Sequence, residues 1–367
     1  MQHRMRWQRC LAMTDRRQFL GAAGASLLFP TLTACSDIER VAVDGVPASG
    51  FGANATAEEV TDGIDLTGKV ALVTGCTSGI GYETLRVLAK RGAYVLGTSR
   101  SLQRAEAACK SVIGHTSPLQ LDLGDFDSVA RCADTLFQLR LPLDILVCNA
   151  GYRGGGNERQ LINGIEKHFV INHLGHFILV NRLMARMYVA EQARIVTVSS
   201  RVAYRDAPEE GILFNDLGMA QDYDDATAYG HSKLANALFS LKLAELLRGS
   251  RITSNALHPG VISTDLSRNL SAVSRLAWRA YVGVAGKTVE QGAATTCYVA
   301  TSRQLGDVSG RFFEDCDAVE IHGQGHMQNT AMADRLLDTS IELTRDWLVE
   351  FKKPTKEDFA WPGADKG

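Results

Sequence analysis

From Asp65 onward, short β-branched apolar runs alternate with stretches whose apolar residues recur at helical spacing. The runs are KVALV, YVLGT, PLQL, DILVC, RIVTV and ITSNAL, and each reads as a strand. Between them Gly81, Leu85, Leu88 and Ala89 mark one helical face, with Gly92 as a natural stop. Leu234, Leu238 and Leu241 mark another, ending near Gly249. Strands alternating with helices predict an α/β fold: a doubly wound parallel sheet of about seven strands, helices on both faces, in a single domain over residues 64–350.

The flanks break this pattern. Residues 36–63 are small, polar and rich in Gly and Ala without a sustained period, so they read as a flexible linker. The tail FKKPTKEDFAWPGADKG, residues 351–367, reads as loosely ordered. Within residues 1–35, Arg16-Arg17 precedes Phe19-Leu20 and a short apolar run through Ala22, Ala23, Leu27, Leu28 and Phe29. Gly and Pro interrupt that run too often for a membrane span. It resembles a twin-arginine export signal, and Leu32-Thr33-Ala34-Cys35 resembles a lipoprotein processing box in which Cys35 becomes the lipidated first residue. Met13 stands as an alternative start, and an N-terminal extension on a cytoplasmic protein is the competing reading.

Charge narrows the partner. Lys plus Arg is 39 against Asp plus Glu at 41, so no general basic field is available for nucleic acid, and a small molecule is expected instead. Of eight cysteines, Cys10 and Cys35 belong to the leader. The other six lack metal-ligand spacing and read as buried thiols.

The candidate chemistry begins at TGCTSGIG, residues 74–81, between the first strand and its helix. A helix N-terminus offers unpaired N–H groups and partial positive charge, so it holds a pyrophosphate if the backbone can approach closely. Glycines at 75, 79 and 81 permit the turn, the approach and tight helix–strand packing, in the spacing G-x-x-x-G-x-G. This spacing after Thr74, with CNAG at 148–151 and Tyr229-x-x-x-Lys233 after RIVTVSS, resembles the short-chain dehydrogenase/reductase family and its Rossmann-type fold. The likeness extends from about Leu66 through EQGAATTCYVAT and GRFFEDC to DTSIELTRDW. NHLGHF and SKLAN point to the branch containing retinol dehydrogenases and WW-domain oxidoreductases.

The resemblance implies a nicotinamide nucleotide held by Gly75, Ser78, Gly79, Ile80, Gly81, Asp122, Leu123, Asn149, Ala150 and Gly151. Pro259, Gly260, Ile262 and Thr264 would lie along the nicotinamide. Cys148 departs from the family's first asparagine of that segment, leaving its hydrogen bond in question. Arg100 ends the second strand where NAD-preferring enzymes carry a carboxylate, and a guanidinium grips a 2′-phosphate, so NADP is expected over NAD. A solvated loop charge is the alternative for Arg100, and a helix-capping surface residue for Asp122.

By the same resemblance Asn172, Ser200, Tyr229 and Lys233 carry the reaction. Tyr229 and Lys233 share a helix face, and an adjacent cation favours a phenolate. Tyr229 is then the proton donor in reduction, Lys233 also binds the ribose, Ser200 polarises the substrate oxygen with Ser199 structural, and Asn172 holds a relay water. The insertion between Ser200 and Tyr229 reads as a loop at the substrate mouth, and SRNLSAVSRLAWRAYVGVAG as a lid. His173 and His176, like His322 and His326, lack further ligands, and no metal is expected.

The expected function is hydride transfer between NADP and a hydrophobic carbonyl or alcohol. A protochlorophyllide-reductase-like double-bond reductase and a non-catalytic nucleotide sensor are the alternatives. The resemblance also implies pairing of two copies through the Tyr229 helix. Export implies anchoring outside a bacterial inner membrane, where soluble NADP is not expected to be recycled.

Overall fold

A computed structural model of the chain describes residues 39–154, 158–262, 286–322 and 325–350. In chain order these form β1 (Glu39–Ala42), α1 (Ala57–Val60), β2 (Val70–Thr74), α2 (Gly79–Lys90), β3 (Tyr94–Ser99), α3 (Leu102–Lys110), β4 (His115–Gln120), α4 (Phe126–Gln138) and β5 (Ile145–Cys148). A turn of π-helix, Val170–Leu174, then opens α5 (Gly175–Tyr188). There follow β6 (Ala193–Val198), α6 (Val202–Arg205), α7 (Asp225–Leu246), β7 (Ile252–His258), α8 (Val289–Thr301), β8 (Phe312–Glu314), β9 (Asp317–His322) and α9 (Thr330–Thr344).

The apolar runs become strands because both their faces are covered. Every residue of β2, β5, β6 and β7 is buried, which is why they read as continuous rather than alternating. Helix starts follow local chemistry: Ser101, Asp125, Asp224 and Thr288 each accept a backbone N–H from the first turn of α3, α4, α7 and α8, worth about 1 kcal/mol per cap.

Among the described residues the main sheet has nine strands in the order β1-β9-β8-β7-β6-β5-β2-β3-β4. Pairings from β8 across to β4 are parallel, whereas β8–β9 and β9–β1 are antiparallel. The chain reverses its direction of winding between β2 and β5. In open α/β sheets that crevice at the carboxyl ends is where ligands bind. One face of the sheet carries a core with Leu72, Leu146, Phe169, Ile178 and Leu238, and the other a core with Val73, Leu85, Leu88, Val147 and Ala294.

Two expectations are corrected. The sheet exceeds about seven strands because GRFFEDCDAVEIH folds back as β8 and β9, and because β1 pairs with β9 from Glu39↔His322 to Ala42↔Val319. The stretch 36–63, expected to be a flexible linker, supplies β1 and α1. Ala57 and Val60 of α1 are buried, Thr56 and Glu59 form a capping box, and Glu58 pairs with Arg86 at 2.7 Å and Lys90 at 2.6 Å. Ser49 N donates to Asp317 Oδ1 at 2.8 Å, fixing the segment between β1 and α1. No helix among the described residues is long and apolar enough to cross a membrane.

Candidate active site

The corner after β2 is built by close backbone approach. Gly75 and Gly79 have φ of +73° and +58°, where side chains are strained. A Cβ on Gly81 would lie 2.2 Å from Gly75 O and 2.4 Å from Asn149 Nδ2, so only glycine fits. Ser78 sits extended at the head of α2 and its side chain caps no N–H, leaving the first-turn donors to an anion. These features fit a pyrophosphate. Ile80 is buried beside Gly292, whose added Cβ would be 3.6 Å from it.

Thr74 ties this corner to the next. Its buried hydroxyl accepts from Asn149 N and Ala150 N, both at 2.9 Å, and meets His176 Nε2 at 3.0 Å. Asn149 Nδ2 donates to Thr74 O at 2.8 Å. Cys148 is buried and its thiol is pushed up to about 12 by burial, so it fills space where the family places an amide. Asp122 Oδ1 accepts from Gly124 N at 3.0 Å, a local turn bond, while Asp125 caps α4. Leu123 is buried, and its carbonyl would lie 2.4 Å from a Cβ on Gly175, which brings the start of α5 against the β4 end. Arg100 is exposed at the end of β3, on the side of the sheet switch where the glycine corner lies.

Helix α7 presents Tyr229 and Lys233, both buried. Lys233 Nζ donates to Val198 O at 2.9 Å and lies 5.7 Å from the Tyr229 ring centroid. Ser199 Oγ donates to Lys233 O at 2.6 Å, locking β6 to α7, whereas the half-buried Ser200 hydroxyl has only a 3.4 Å contact from Val202 N. The next residue, Arg201, donates to buried Glu314 at 3.0 Å, and Glu314 also accepts from Arg40 at 3.0 Å and the Tyr204 hydroxyl at 2.7 Å. This cluster ties β1 to the segment that carries Ser200.

Asn172 lies in the π-turn, a distortion that recurs at functional sites. Its Oδ1 accepts from Tyr152 N at 2.6 Å, and its Nδ2 donates to Tyr152 O at 3.0 Å and to Ser232 Oγ at 2.9 Å. Gly151 is where these elements meet: an added Cβ would stand 3.5 Å from Asn172 Oδ1 and 3.6 Å from Lys233 Nζ. Burial lowers the Lys233 ammonium to about 8. Burial raises the Tyr229 phenol above its usual value, and the cation opposing this is Arg153 rather than Lys233. The Lys233 ammonium is held by Val198 O.

Pro259 is buried, Gly260 has φ +99°, and Ile262 is buried and bridges to Lys287. Thr264 and all but the last residue of the expected lid lie outside the described residues, as do Arg16, Arg17 and Cys35. The flanking histidines point apart: His173 Nε2 meets Ser340 Oγ at 2.8 Å, and His176 Nδ1 meets Asn172 O at 3.0 Å. His326 Nε2 meets Glu209 O at 2.9 Å.

Two contributors, Arg153 and His168, have no motif signal, and a third, His176, lies in NHLGHF without a role drawn from it. Arg153 lies with its guanidinium carbon 5.1 Å from the Tyr229 ring centroid. His168 bridges Glu166 and Gly154, at 2.8 Å each. His176 joins Asn172 to Thr74. VINHLGHF showed His176 four residues after Asn172, and i, i+4 spacing on a helix was the available clue.

A family model described as short chain dehydrogenase matches residues 69–211. The chain is 39% identical over 314 residues to short-chain dehydrogenase TIC 32 A, chloroplastic, of Brassica napus, spanning 80% of this chain and 94% of that one. It is 37% identical to retinol dehydrogenase 12 of Mus musculus over 288 residues, 77% of this chain and 88% of that one. Among solved structures, an uncharacterized protein of Mycobacterium paratuberculosis is similar with a TM-score of 0.62 at 29% identity, over 80% of this chain and 98% of that one.

Proposed function

Since the chain belongs to the short-chain dehydrogenase/reductase family, in its retinol dehydrogenase-like branch, and is an oxidoreductase of CH–OH donors with NAD(P), we propose that it uses NADP on a hydrophobic aldehyde, ketone or the corresponding alcohol. The observation carrying this reading is the convergence of Asn172 and Lys233 on Gly151, with Tyr229 on the Lys233 helix and the glycine corner across the sheet switch. The preference for NADP rests on Arg100 at the end of β3, with no carboxylate at that corner.

NADP, when bound, supplies or takes up the hydride. Gly75, Ser78, Gly79, Ile80 and Gly81 would hold its pyrophosphate side, Asp122 and Leu123 its adenine side, and Asn149, Ala150, Gly151, Pro259, Gly260, Ile262 and Thr264 the remainder. Ser200 holds the substrate oxygen through a hydroxyl with little competing engagement. Tyr229 gives its phenolic proton to that oxygen in reduction and takes it back in oxidation; burial keeps the phenol protonated at neutral pH, in the form that donates. Lys233 exchanges Val198 O for the ribose, and Asn172 orders the path by which Lys233 recovers a proton. Two copies pairing through α7, and delivery of the folded chain across a bacterial inner membrane with Cys35 as tether, complete the reading.

Titration of NADPH and NADH by fluorescence, followed by a carbonyl screen that includes retinal, tests it, with Tyr229→Phe as control. Turnover absent from the variant supports it. Binding without turnover on any carbonyl shifts the reading to a nucleotide sensor or double-bond reductase. Fractionation of cells making the full chain and an Arg16/Arg17→Lys variant tests export; cytoplasmic signal from both overturns that part.

A further inference from the structure

We infer that Arg153 is a positioning residue for the proposed reaction: it sets a permanent positive charge against the Tyr229 ring and thereby governs how readily that phenol releases its proton. The inference rests on the assignment of Tyr229 above, and goes beyond it in naming the cation.

The geometry is built rather than incidental. Arg153 follows Gly151 and Tyr152 at the end of β5, and its guanidinium carbon stands 5.1 Å from the Tyr229 ring centroid, closer than the 5.7 Å of Lys233 Nζ. The backbone beside it is pinned from two sides. Gly154 N donates to His168 Nε2 at 2.8 Å, and His168 Nδ1 meets Glu166 Oε1 at 2.8 Å, so Nδ1 carries the proton and the ring is fixed by two bonds. On the other side Gly154 lies against the Asp225 side chain, which an added Cβ would displace. Glu166 and His168 are fully buried, so the clamp holds in a dry setting.

A guanidinium is intrinsically the more basic of the two side-chain cations, and burial draws the Lys233 ammonium to about 8. A cation near a ring face stabilises negative charge on that ring. The other groups facing Tyr229 divide in sign and place. Lys233 Nζ, on α7, lies 5.7 Å from the Tyr229 ring centroid, and the His168 ring, from the turn before the π-helix, lies 6.0 Å from it; Asp206, at the end of α6, and Asp225, at the start of α7, interact with Arg153 itself. Burial raises Asp206 and Asp225 above the usual carboxylate range, and the Arg153 charge offsets part of that rise at each.

The test uses the full chain carrying tyrosine labelled with carbon-13 at Cζ. The Tyr229 signal is identified by its loss in Tyr229→Phe and followed against pH in wild type, Arg153→Met, Arg153→Gln and Arg153→Lys. The expected result is an upward move of the Tyr229 midpoint by about one unit or more in the Met and Gln variants, restored by Lys. The alkaline limb of the pH–rate profile should move in step. Midpoints that coincide within about 0.2 units, or a Tyr229 signal that does not titrate in any of the proteins, overturn the inference. The spectroscopic titration needs no turnover, so absence of carbonyl reduction would count against the proposed function and leave this result to stand by itself. Two neutral variants guard against one of them failing to fold.

Discussion

Replacing Thr74 by Val keeps the shape of a fully buried residue and removes only its hydroxyl. That hydroxyl accepts from Asn149 N and Ala150 N at 2.9 Å each. Because His176 Nδ1 donates to Asn172 O, its Nε2 is an acceptor, and the Thr74 proton goes to it at 3.0 Å. In the variant Asn149 N retains Val147 O at 3.0 Å, so it is not orphaned. Ala150 N and His176 Nε2 are, and each orphaned buried group costs about 1–3 kcal/mol. Ala150 is half-buried, and water offsets part of its share, which places the loss at about 2–3 kcal/mol of a native stability on the order of 5–15 kcal/mol. Thr74→Ser keeps the hydroxyl and sheds one methyl group, and is expected to lose about 1 kcal/mol. Equilibrium urea unfolding of the three proteins measures the difference. A Val variant within about 0.5 kcal/mol of wild type, or a Ser variant as weak as Val, would refute the assignment of Thr74 as the bond that joins the glycine corner to CNAG.

Gly81→Ala pushes a methyl group to 2.2 Å from the Gly75 carbonyl, a backbone atom that cannot yield without opening the turn; NADPH affinity should fall by about tenfold or more, read by fluorescence titration. Arg100→Asp should weaken NADPH by about tenfold or more and improve NADH, and equal loss of both would remove Arg100 from the 2′-phosphate. Burial lowers His173 to about 3, His176 to about 4, His231 to about 4 and His258 to about 3, from 6.5 in the open chain. Their depressed values mean that the unfolded chain binds more protons, so this stability is present above pH 6.5 and is lost as pH falls from there towards 3. The unfolding free energy should fall by up to about 1.4 kcal/mol per pH unit per histidine, lowering the melting temperature with it, and a flat melting profile from pH 7 to 4 would contradict neutral burial.

The strands that cross the middle of the sheet were legible because burial on both faces leaves a continuous apolar run, as in KVALV and RIVTV. The glycine corner was legible because no other residue tolerates the approach of Gly81 to Gly75 O. β1 was not: all four of its residues are exposed, and only pairing with β9 makes ERVA a strand. The β8–β9 hairpin turns through Asp315 and Cys316 at φ +51° and +71° without glycine, so it carries no turn signal. Helix α1 begins with a capping box, Thr56 and Glu59, but its four residues give no period, so the stretch reads as a linker. At the site, residue types that belong to motifs could be found, whereas Arg153 and His168 act through a loop path that spacing does not encode.

The two rims of the sheet have a consequence for solubility. β1 forms one rim with four residues, two of them the charged Glu39 and Arg40, and the exposed Arg40 pairs with Glu314. β4 forms the other, and Pro118 in its middle, opposite Gly97, has no N–H to offer a neighbour. A long open edge is a template for strand addition between chains; a short charged edge and a proline-broken one are poor templates. Copies of this protein are thereby steered away from edge-to-edge aggregation through these two strands.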